Sequence, residues 1–370
     1  MSESWQSSLD RWIAARVVDS ATAARIRNFE ASREEPKHLR WPILIAISFG
    51  ALMLAAGVLL FVSAHWDELS PSGRFSLVLV MVGLFHVAGA ALSERFPALS
   101  TALHGIGTAT LGAGIYLAAQ IFNVQEHWPG GIMLWALGAW IGWALLRDWV
   151  QAAFAALLTP AWLASEWINA TERMKGSEQI IGAGLLLLAL TYLSAVSADH
   201  KGPVRRMLAW IGGITLVPAI AVAMPQEWWG SEERMPLHLL ILGRGMAIVL
   251  PLLLAWLLRR RAAWINGVAA LWIQILGLIS PKAELMPYIW VGVASLGLIW
   301  WGLYESRRER INLGILVFGL NVLFFYFSNV MDKLGRSASL IGLGLLFLVL
   351  AWGLERTRRG LIAKVKSAAA

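Results

Sequence analysis

The stretch TALHGIGTATLGAGIYLAAQIF, residues 101–122, holds no Asp, Glu, Lys or Arg. A helix rises about 1.5 Å per residue and the hydrocarbon core of a bilayer is about 30 Å thick, so these residues suffice to cross it. Eleven further stretches of similar character flank it, near 42–64, 75–92, 130–146, 149–166, 179–197, 207–224, 237–258, 263–280, 286–303, 311–328 and 337–354. The chain is 58% hydrophobic and 15% charged. A soluble domain carries about 25% charged residues, so this composition leaves too little polar surface for water. Unpaired backbone groups are not tolerated in lipid, and helices are the only fit to runs of this length. The expected fold is an all-α polytopic transmembrane helix bundle of about twelve helices. The pair 130–146 and 149–166 is the closest spaced, with only Arg147 and Asp148 between its members.

Basic residues orient the bundle. With the N-terminus inside, the inside segments hold 23 Lys and Arg and the outside loops 7, while Arg244 lies within a span. Both termini are therefore expected in the cytoplasm. The net charge of +8 is read the same way, as a topological signal, and no nucleic-acid partner is expected. The partners implied are membrane lipids. Many of the 21 tryptophans sit at segment ends, where amphipathic rings favour the headgroup level. The absence of cysteine excludes disulfides and thiolate chemistry. About forty mostly polar residues precede the first span, so no cleavable signal peptide is expected.

Residues 1–40 read as a cytoplasmic amphipathic helical hairpin. Trp5, Leu9, Trp12 and Ile13 share one helix face, and Asp19 or Ser20 can cap a second helix carrying Ile26 and Phe29. That hairpin either docks a cytoplasmic protein partner or packs on the bundle or the membrane surface. Residues 41–354 form the transmembrane bundle. Residues 355–370 are a basic tail suited to anionic lipid. The tenth and twelfth spans end alike, in W-G-L-Y-E-S-R-R from Trp301 and W-G-L-E-R-T-R-R from Trp352. This is either a duplicated hairpin or convergence on an interfacial Trp followed by cytoplasmic Arg.

Polar residues inside spans are the informative ones. His104, Thr108, Gly112, Tyr116 and Gln120 recur at i+4 steps, with Asn123 three further on, and so share a slowly drifting helix face. The face either lines a polar cavity or supplies interhelical hydrogen bonds in a solid bundle. Arg244 carries a charge into the membrane, which is costly and functional by default. It is a candidate contact for an anionic substrate group, or it snorkels or pairs with Glu166, Glu227 or Asp332. His86, Asn266, Gln274, Asn321 and Asn329 are further candidates for the bundle interior. His65-Trp66-Asp67-Glu68, Glu126-His127-Trp128 and His238 offer imidazoles and carboxylates on the outer side, but no spacing among them is diagnostic of a metal. No metalloprotease, phosphate-loop or nucleophile-elbow motif is present, so no catalytic residue and no cofactor is assigned, and an enzyme is not the favoured class.

The N-terminal hairpin, the first span closing in F-V-S-A-H-W-D-E-L (Phe61 to Leu69) and the third closing in G-A-G-I-Y-L-A-A-Q-I-F-N (Gly112 to Asn123) resemble a bacterial membrane family known as domain of unknown function 2157. His65 stands before Trp66 where the family pattern has Asn. The resemblance covers about the first 150 residues. It implies a multi-pass protein of the bacterial inner membrane and brings no activity with it. Three classes fit these readings: a transporter or flippase of a small or lipid-like, anionic substrate; a membrane scaffold or sensor acting through the hairpin; and a membrane-embedded lipid-modifying enzyme.

Overall fold

The computed structural model describes residues 12–32, 70–121, 127–171, 174–196, 202–224, 233–280 and 285–330, with isolated positions elsewhere such as Leu9. It divides into two compact units, Met1–Arg74 with Val87–Ile106, and Phe75–His86 with Gly107–Ala370. Most of the first and twelfth expected spans falls outside the described residues.

In the first unit, α1 spans Ser20–Ser32. The Thr22 hydroxyl bonds the Asp19 carboxylate and holds it below the usual carboxylate range, as expected for a residue capping exposed backbone N–H groups. Leu9 and Ala23 are buried, whereas Trp12, Val17 and Phe29 are exposed.

The remaining helices are α2 (Pro71–Leu92), α3 (Pro97–Ile121), α4 (Pro129–Leu146), α5 (Trp149–Thr171), α6 (Ser177–Leu193), α7 (Pro203–Ala223), α8 (Leu237–Arg259), α9 (Trp264–Leu276), α10 (Met286–Tyr304) and α11 (Arg308–Phe325). Each coincides with one of the ten expected stretches that the structure describes. Proline opens α2, α3, α4 and α7, where its missing N–H costs nothing and its fixed φ suits a first turn. The two-residue join between α4 and α5 is a real turn. Arg147 adopts a left-handed conformation (φ 55°) that ends α4, and the Asp148 carboxylate accepts the Gln151 backbone N–H at 2.7 Å to start α5.

Seven helices among the described residues are long and apolar enough to cross a membrane. One of them is a 40-residue run, Leu237–Leu276, broken by the 3₁₀ turn Arg260–Ala263 into α8 and α9. The shorter α6 is the centre of the second unit. Its Leu186, Leu187, Ala189 and Leu193 belong to one apolar core with Leu216 of α7, Ile273 of α9, Val291 of α10 and Val317 of α11. Gly212 brings α7 onto α6, since a Cβ there would lie 2.3 Å from Leu193 N and 2.4 Å from the Ala189 carbonyl oxygen. Without a hydrophobic drive between helices in lipid, such small-residue contacts supply the packing. The all-α expectation has one small exception. Met174–Lys175 (β1) and Glu233–Arg234 (β2) pair in parallel and tie the α5–α6 connection to the α7–α8 connection.

Candidate functional site

The second unit encloses a partly open cleft of about 750 Å³. Helices α5 and α8 form its walls and α6 its floor, with Trp140 and Trp143 of α4 and Val204 and Leu208 of α7 completing the lining. The volume lies within the range of small-molecule sites. On α8 the lining runs from Leu239 to Leu258, nineteen residues apart, or about 28 Å along the helix. Pro160 of α5 and Pro251 of α8 both line the cleft.

The walls are apolar because their polar groups are already paired. Pro160 has no N–H, so the carbonyl of Ala156, four residues earlier, has no helical partner. The Tyr192 hydroxyl donates to that carbonyl at 2.8 Å and fills the gap from α6. Tyr192→Phe orphans a buried acceptor, and its expected cost is about 1–3 kcal/mol, read as a lower apparent Tm of the purified protein with helix content unchanged. Thr159 donates to the Ala155 carbonyl at 2.7 Å and accepts from Trp140 Nε1 at 2.9 Å. The Nε1 of Trp167 is the exception. It is buried without an acceptor among the described residues, and its ring lies against Gly243, where a Cβ would come within 2.3 Å of it.

The two ends of the cleft, each called a mouth below, differ in charge. At one, Glu166 lines the cleft and its Oε1 accepts Trp162 Nε1 at 2.9 Å and faces His127 Nε2 at 3.0 Å. At the other, Arg205 donates through Nη1 to the carbonyls of Leu258 at 2.7 Å and Ala195 at 3.0 Å.

A second polar centre joins the helix ends beyond the Arg205 mouth. Glu305, just after α10, accepts from Arg259 Nη2 and Trp301 Nε1 on one oxygen and from Arg310 Nη1 at 2.5 Å on the other. Arg310 also donates to the carbonyls of Leu193 and Val196 and stacks 4.1 Å over the Trp301 ring. Both guanidinium side chains are only 3% exposed, and Glu305 15%. Burial alone would raise the Glu305 pKa. The hydrogen bonds from Arg259, Trp301 and Arg310 outweigh it and hold the carboxyl below its usual range. By sequence these arginines read as loop charges that orient the chain. The available signal was Trp301 and Glu305 at i+4, which share a helix face.

The residues singled out by sequence lie elsewhere. His104 is buried, with its ring against Gly89. Thr108 is 2% exposed; its hydroxyl donates to Gln151 Oε1 at 2.8 Å and its carbonyl accepts Trp135 Nε1 at 2.8 Å. Gly112 faces the Trp135 ring. Tyr116 is 65% exposed and accepts from Gln120 Nε2 at 3.1 Å. Asn123 lies outside the described residues. Arg244 is on the exposed side of α8, beside the cleft residue Gly243 but not on the cleft wall, and it makes no ion pair among the described residues. None of the described six lines the cleft. Asn266 is buried beside Thr191 and Ser194, and Asn321 donates to the Tyr288 carbonyl. Among the described residues no three His, Asp or Glu side chains form a metal-sized group. His65, Asp67, Glu68 and Glu126 lie outside them.

Long apolar helices, small-residue packing and an apolar cleft define an α-helical multi-pass membrane protein. Residues 10–152 match the family model described as "Predicted membrane protein (DUF2157)". The match runs from the N-terminal segment to the first turn of α5, and most of the cleft lies beyond it. No curated protein and no solved structure matches the chain.

Proposed function

We propose that the protein is a twelve-span carrier of the bacterial inner membrane, with both termini cytoplasmic, that holds a lipid-like substrate in the α5–α8 cleft and moves it between leaflets. The carrying observation is the reach of the cleft. Its α8 wall is about 28 Å long, close to the thickness of a hydrocarbon core, and apolar throughout. A polar solute would lose its hydration there without gaining partners. An alkyl chain fits the same wall at no such cost. The orientation is supported by the arginines gathered at the Arg205 mouth, which suit a cytoplasmic face.

The test is movement of fluorescent phospholipid in proteoliposomes, read by quenching from the outer leaflet. The full chain is expected to speed movement above protein-free vesicles. Ala164→Trp, which puts an indole on the α5 wall, is expected to cut that rate at least about tenfold while the protein stays monodisperse; a ring that fills the site removes most of the binding area. An unchanged rate in this variant removes the cleft from the path. A scaffold role through residues 1–40 is the second reading, favoured by the exposure of Trp12, Val17 and Phe29. Absence of lipid movement with the unaltered chain would leave that reading in place.

A further inference from the structure

We infer that the cleft is selective for anionic amphiphiles, seated with the headgroup at Arg205 and the chain along α5 and α8. This rests on the lipid-carrier reading and adds the substrate's charge and direction. A guanidinium has five N–H groups in a planar fork. Among the described residues both hydrogen bonds of Arg205 leave from Nη1, to the carbonyls of Leu258 and Ala195. The Nε and Nη2 edge makes no bond among the described residues. That edge is the side-on pair of donors that matches two oxygens of a phosphate or carboxylate. The two carbonyls fix the plane of the group, so little rotamer entropy is lost when an oxyanion docks.

Arg205 is not itself on the lining but is held at one end of the cleft by a bond to a lining residue. Leu258, which it grips, lines the wall, as do its neighbours Val204 and Leu208 on α7. Arg206, Arg260 and Arg261 stand beside it in sequence or beside Leu258 and raise the local positive potential. The start of α7, at Pro203, adds the positive end of a 21-residue helix. The opposite mouth repels an anion, because Glu166 is the one carboxylate on the lining. A zwitterionic or cationic headgroup gains no comparable advantage at Arg205. The apolar walls contribute affinity common to all chains, and the mouths decide between headgroups.

The experiment uses the full-length protein in phosphatidylcholine vesicles doped with diazirine-bearing lipids of identical chains, one phosphatidylglycerol and one phosphatidylcholine. Crosslinked residues are located by mass spectrometry. Phosphatidylglycerol is expected to label the α5 and α8 walls about tenfold more than phosphatidylcholine, the factor of one charge-assisted contact. Arg205→Gln is expected to bring the two to parity without lowering phosphatidylcholine labelling, and Arg205→Lys to keep part of the preference. Equal labelling by the two lipids in the unaltered chain overturns the inference and leaves the carrier reading intact. No labelling of the walls by either lipid overturns the carrier reading itself. Inorganic phosphate is expected to displace neither lipid; if it abolishes the preference at concentrations matched to the labelled lipid, the mouth is a free-anion site and the amphiphile is lost.

Discussion

Glu305→Gln is expected to be the most damaging single change outside the cleft, lowering stability by about 3–5 kcal/mol. The isosteric amide keeps the shape and can still accept hydrogen bonds. It removes the one carboxylate that stands between Arg259 and Arg310, two side chains almost wholly out of solvent. Both guanidiniums would remain charged, because arginine does not give up its proton in proteins. Neither could escape to water without unpacking Trp301, whose ring both of them face. The Nε and Nη1 of Arg259 already lack acceptors, so no spare partner exists for it among the described residues. The measurement is apparent Tm and the monodisperse fraction in mild detergent. The same centre sets an acid limit. The Glu305 pKa is depressed in the folded state, so its contribution is complete above the ordinary carboxylate pKa and fades as pH falls through the lowered folded value. Stability is therefore expected to fall as pH drops from the ordinary carboxylate range down through that lowered value, and the Glu305→Gln variant should lack that component of the acid transition. A Tm for Glu305→Gln within a degree of the unaltered protein would show that the trio does not hold the helix ends.

Gly212→Ala is expected to destabilise by about 1–3 kcal/mol, the range for forcing an extra methyl into a packed core. The sign is the informative part. In an isolated helix Ala is more favourable than Gly by about 1 kcal/mol. Here the added Cβ would sit 2.3 Å from Leu193 N and 2.4 Å from the Ala189 carbonyl, both backbone atoms of α6 that no rotamer change can move. The two helices must separate, and α6 is the floor of the cleft as well as the middle of the core. The variant should lose lipid movement together with stability. A more stable Gly212→Ala protein would mean that α6 and α7 do not approach this closely.

Much of the fold was legible because its signals are local. Apolar length and the prolines that open α2, α3, α4 and α7 act within a few residues of themselves. Even the two-residue join at Arg147 and Asp148 carries its own turn and cap. The candidate site was not legible in the same way. The third-span polar stripe reads equally as cavity lining or as interhelical bonding; in the structure Thr108 bonds Gln151 while the same stripe leaves Tyr116 exposed. A periodicity marks a face and cannot name the neighbour that meets it. Arg244 was conspicuous because a charge inside an apolar run stands out. Arg259 and Arg310 were not, because charges at helix ends are ordinary there.

By itself, the sequence determined that this is a multi-pass helical membrane protein and where its described membrane helices lie, to within about five residues at each end. Those properties follow from hydration and backbone sterics, which each segment feels alone. Tertiary structure alone decided that the Arg259–Glu305–Arg310 centre is buried, that Tyr192 completes the carbonyl freed by Pro160, and that α5, α6 and α8 leave an apolar cleft between them. Each of these depends on which helix lies beside which. In lipid that choice is made by close steric fit and by pairing of buried polar groups, between residues as far apart in the chain as Leu193 and Arg310.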